Sequence, residues 1–92
     1  LGCMTYAIRT IQNLEDMGNW DYDNGEVLLR EGLPPVTRGC TLLHELIHAV
    51  SDTLGAGLTE GQTRALEQGL SQIIQANPEV FRKIIKDIIA GE

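Results

Sequence analysis

Basic residues are scarce in this chain: seven lysines and arginines face thirteen acids, giving a net charge of −6 over 92 residues. No Lys/Arg cluster exists to neutralise phosphates, so neither nucleic acid nor an anionic membrane is an expected partner. Apolar runs are short as well. None approaches the ~20 residues of a membrane span. The opening LGCMTYAIRT lacks the basic region and long apolar segment of a secretory signal, and a start at Leu1 is compatible with a processed or trimmed chain. Only two cysteines occur, Cys3 and Cys40, without C-x-x-C spacing. They supply no disulfide framework and no cysteine-rich closed metal cage, and both are expected as free thiols. One Trp, one Phe and two Tyr are all the aromatics. A chain of this size makes one domain, residues 1–92, with a single modest core and no room for the second lobe of a large protease.

Histidine is equally rare, and here the scarcity is informative. Both histidines fall within five residues, His44-Glu45-Leu46-Ile47-His48, a match to H-E-x-x-H. On a helix the two imidazoles sit one turn apart on one face and can reach a single cation, while Glu45 lies about 100° round the axis. Val36, Cys40, Leu43, Ile47, Val50 and Leu54 recur at spacings of three and four, which predicts an amphipathic helix packed on a core. Polar His44, Glu45 and His48 would be desolvated on such a helix, at a cost of several kcal/mol unless a metal or hydrogen-bond partners satisfy them. A metal site is therefore expected in preference to a pair of structural histidines.

The remaining elements frame this helix. Met4 to Ile11 suggests a strand through partial alternation, and Gly25 to Gly32 a second short apolar strand. The polar, glycine-containing stretch from Glu15 to Gly25 between them reads as a loop. Pro34 and Pro35 forbid continuation of a ladder, and Thr37 is a plausible N-cap for the motif helix, which should run to about Leu54 and stop at Gly55 and Gly57. Thr59 can cap a second helix whose stripe is Leu66, Leu70, Ile73 and Ile74. Asn77 and Pro78 announce a third, in which Val80, Phe81, Ile84, Ile85, Ile88 and Ile89 make a broad apolar face, either core or an oligomer or partner contact.

Catalytic zinc usually takes three protein ligands, and no third histidine exists. Cys40 and Asp52 each lie one turn from a motif histidine, but three ligands at successive i,i+4 steps would span ~12 Å of axis, too far for one ion. Cys40 then reads as a small core residue and Asp52 as an outer acceptor or a solvated acid. Glu60 and Glu67 on the second helix are about 20° apart round its axis. A short connection makes the two helices near-antiparallel, which sets Glu60 near His48 and leaves Glu67, nearer His44, as the competitor.

HELIHAVSDTLG followed by LTEGQTRALEQGL resembles the small zincin-type metallopeptidase domains of the gluzincin kind found in phages and prophages, over roughly Thr41 to Pro78. The resemblance implies a minimal zincin-like α+β fold: short antiparallel strands, the motif helix, a ligand-bearing helix and a C-terminal helix. It further implies Zn²⁺ on His44, His48 and Glu60, hydrolase chemistry and a bacterial or phage-encoded cytoplasmic protein.

The expected mechanism is peptide-bond hydrolysis with Glu45 as general base. Tyr6, Tyr22 and Arg64 are the candidates for stabilising an oxyanion, and the strand Glu26 to Arg30 is the expected edge for an extended peptide. The alternative is a catalytically inactive zincin-like scaffold that binds proteins; a structural zinc module ranks last.

Overall fold

A computed structural model describes residues 5–91. Three strands, β1 (Ala7–Ile11), β2 (Gly18–Asp21) and β3 (Glu26–Arg30), precede three helices, α1 (Pro35–Leu54), α2 (Glu60–Ala76) and α3 (Pro78–Ala90). The chain is a small α+β unit, as expected. Its sheet differs from expectation in three ways. It has three strands in the order β1-β3-β2. Its pairing is mixed, since β1 runs parallel to β3 while β2 runs antiparallel to it. And β3, expected as the substrate-binding edge, is the central strand, so both its edges are already paired. The parallel pairing is possible because residues 12–25, β2 included, form the long crossover that parallel neighbours require. Cys3, Met4 and Leu1 lie outside the described residues.

The extra strand lies inside the stretch read as a loop. GNWD has no apolar alternation, and tertiary contacts hold it. The Trp20 indole N–H donates to Asp52 Oδ2 of α1 at 2.8 Å, and the Trp20 ring stands edge-on to Tyr6 at a centroid distance of 5.1 Å. Gly18 is required for space: a Cβ there would lie 2.6 Å from Thr41 Cγ2 and 3.1 Å from Glu45 Cγ. The strand therefore runs in direct contact with the helix that carries the motif.

α1 starts one turn earlier than a Thr37 cap would place it. Pro34 is the N-cap residue, without a side-chain hydrogen bond, and Pro35 occupies the first turn, where its missing N–H costs nothing. Its buried positions are Ala49 and Ser51, whereas Val36, Val50 and Leu54 of the expected apolar stripe are exposed. The helix ends at Gly55, whose φ of 68° is left-handed, and the Gly55 and Ala56 N–H groups both donate to the Ser51 carbonyl. The buried Ser51 hydroxyl accepts from the Leu58 N–H at 2.9 Å, which fixes the turn into α2. There Thr59 and Gln62 form a reciprocal capping box, as the sequence predicts for Thr59.

Val27 and Leu29 of β3, with Leu33 and Ala49, are the buried apolar residues, so the core is the layer between the sheet and α1. α2 packs on α1, and α3 packs on α2 alone among the described elements. No described helix is long and apolar enough to cross a membrane.

Candidate metal centre

His44 and His48 project from successive turns of α1, and their rings meet edge-on at 4.9 Å. Facing them is Glu60, the first residue of α2. Its Oε1 lies 2.7 Å from His44 Nε2 and its Oε2 3.2 Å from His48 Nε2. One ligand atom from each of the three residues falls within 4.8 Å of the others, the single group of potential ligands found among the described residues. The corners of a tetrahedral site with bonds near 2.0 Å lie about 3.3 Å apart. Two imidazole nitrogens and a carboxylate at these separations can accept a metal ion with small side-chain adjustments, and one coordination position is left free.

Glu67 does not share this point. Its Oε1 lies 3.4 Å from Nδ1 of His44, on the opposite side of the ring from Glu60. The two glutamates left open by helical spacing thus take different roles: Glu60 joins the ligand atoms, and Glu67 supports one ligand from behind. α2 places them so because Thr59 caps its first turn and the helix packs on α1. Glu60 ionises more readily than an ordinary glutamate. Desolvation opposes this, but the neighbouring His44 and His48, a hydrogen bond from His44 and Arg64 outweigh it.

Glu45 faces the same cleft, beside Gly18 of β2. Burial pushes its carboxyl above the usual range; His44 and His48 act in the opposite direction, and Glu60 and Asp16 reinforce the rise. A carboxylate with raised proton affinity facing this cleft is suited to take up a proton.

The cleft itself, about 1020 Å³, opens between α1, the start of α2 and the segment from Asp16 to Trp20. The strand beside the ligands is therefore β2, a true sheet edge, which sequence reading missed because GNWD carries no strand pattern. Of the three oxyanion candidates only Arg64 lines the cleft, with its guanidinium 3.9 Å from Glu60 Oε1. Tyr6 lies behind β2, sharing a hydrogen bond of 2.9 Å with Thr53, and Tyr22 is exposed; neither lines the cleft. Asp52 lines the cleft and accepts from the Trp20 indole N–H. Cys40 is half-buried, not core: its Sγ lies 3.5 Å from Ser71 Oγ and it forms part of the cleft wall.

No protein-family profile, curated protein or solved structure matches the chain.

Proposed function

We propose that this chain is a minimal zincin-type metallopeptidase in which His44, His48 and Glu60 hold Zn²⁺ and Glu45 is the general base. The observation that carries the reading is the convergence of one carboxylate from α2 on the two motif imidazoles of α1. An N₂O donor set with a free position suits catalytic zinc, and such an ion, when bound, supplies a Lewis acid that acidifies water and polarises a carbonyl.

This chain's own residues do the rest. Glu45 takes the proton of the attacking water and hands it to the departing amine. Glu67 holds the His44 ring by its Nδ1 edge. The unpaired edge of β2 receives an extended peptide through main-chain hydrogen bonds, which aligns the scissile bond along the cleft. Arg64, the candidate oxyanion donor that lines the cleft, would have to leave Glu60 to serve. That engagement favours a second reading, in which the same scaffold binds an extended segment without cleaving it. A bacterial or phage-encoded cytoplasmic setting is carried by the sequence resemblance alone.

The test is metal content by elemental mass spectrometry on tag-free protein, followed by turnover of a peptide library. Roughly one zinc per chain is expected, lost in Glu60→Ala. Glu45→Gln should retain zinc and lose turnover by ~10²–10⁴-fold. Wild-type protein that binds zinc yet cleaves nothing would favour the binding scaffold. Protein that takes up no zinc would sink the metal site.

A further inference from the structure

The chain buries too little of itself. It exposes 6679 Å², whereas a monomer of 10.1 kDa is expected to expose about 5,300 Å², a difference of roughly 1,400 Å². Its radius of gyration is 13.9 Å against about 12 Å for a compact domain of this length. α3 contributes to both. Among the described elements it rests on α2 alone, and it has no buried residue, yet half its circumference is apolar.

The exposed apolar groups concentrate there. Val80, Ile84, Ile85, Ile88 and Ile89 of α3 are 43–75% exposed, and Ile73 and Ile74 of α2 are 47% and 38% exposed. Together they present on the order of 700 Å², above the ~300–600 Å² of the largest patch on a typical monomer and close to the ~800 Å² that each partner gives to a standard interface. The charged residues of α3, Glu79, Arg82, Lys83, Lys86 and Asp87, occupy its other side. The face is thus a clean apolar stripe with a polar border, the arrangement of an interface core and rim.

We propose that this isoleucine face is the interface of a two-fold symmetric homodimer. A second copy is the occupant the areas select. A two-fold axis buries the same stripe on both chains, so one patch of this size supplies both halves of a standard interface. α2 and α3 of each copy then form a four-helix layer, with the metal-ligand cleft left open because its α2 residues, Glu60, Arg64 and Glu67, precede Ile73 and Ile74 by six residues or more, about 9 Å or more along the helix axis.

The test is sedimentation equilibrium of the tag-free chain from about 1 to 200 µM, where mass action exposes a reversible dimer. A mass of twice 10.1 kDa is expected. Ile85→Glu with Ile88→Glu should weaken association by at least ~100-fold while circular dichroism keeps its helical signal, since both side chains are solvent-exposed. Hydrogen exchange on the wild type gives an independent reading: amides of residues 80–89 should gain protection as concentration rises. A single-chain mass throughout, a dimer that survives both glutamates, or no concentration-dependent protection over 80–89 would each overturn the proposal.

Discussion

Glu67 and Glu60 grip the His44 ring from opposite edges, 3.4 Å from Nδ1 and 2.7 Å from Nε2. An imidazole held in this way presents one nitrogen to a metal while the other donates to a carboxylate, which fixes both tautomer and orientation. Glu67→Gln keeps the shape and removes the charge. Zinc affinity measured by calorimetry should fall 10–100-fold, whereas Glu60→Ala should abolish specific uptake. Equal losses in the two variants would mean that Glu67 is itself a ligand.

Because His44 and His48 come from α1 and Glu60 from α2, an ion bound by all three would tie the two helices together. With only Val27, Leu29, Leu33 and Ala49 as buried apolar residues among those described, that tie should be a large part of total stability. Zinc at 100 times its dissociation constant should stabilise the fold by about 2.7 kcal/mol in a thermal or urea titration. His48→Ala should show no such gain.

Gly18→Ala should destabilise by about 1–3 kcal/mol, because the new methyl meets Thr41 Cγ2 on a stiff β-branched side chain. Thr41→Ser removes that carbon and should recover part of the loss, a coupling that a double-mutant cycle in urea measures. Additive effects would show that the contact is not the cause.

Thr63 of α2 is fully buried, and its hydroxyl has no hydrogen-bond partner among the described residues. Thr63→Val replaces the stranded oxygen with a methyl of the same shape and should raise stability by about 1 kcal/mol in chemical denaturation. A loss would reveal a water or polar group that satisfies the hydroxyl in solution.

The candidate metal-binding triad was legible because its parts are local. HELIH places two imidazoles on one face by helical periodicity, and the four-residue turn after Gly55 brings Glu60 to them. Rotation could not separate Glu60 from Glu67, which are only about 20° apart, but axial position favoured Glu60 and set Glu67 nearer His44, as found; that Glu67 would meet the Nδ1 edge of His44 was not legible. β2 was hidden because its stability comes from partners far along the chain: Trp20 is held by Asp52, 32 residues on, and by Tyr6. Strand order was hidden for the same reason. Nothing in AIRTI or EVLLR says that they run parallel, and only that pairing puts GNWD at the edge beside the ligands. Pro34 and Pro35 displaced Thr37 as helix start because proline is preorganised for the first turn.

The Ser51 turn carries a consequence for how this sequence can drift. Three amides, those of Gly55, Ala56 and Leu58, converge on one residue that lies a single turn beyond His48. The connection is thereby a gauge of set length. One residue added to it would break the set of bonds that ties the start of α2 to the end of α1 and free Glu60 from its place against the imidazoles, so length variation between 55 and 58 should be far less tolerated than in the exposed turn between β2 and β3.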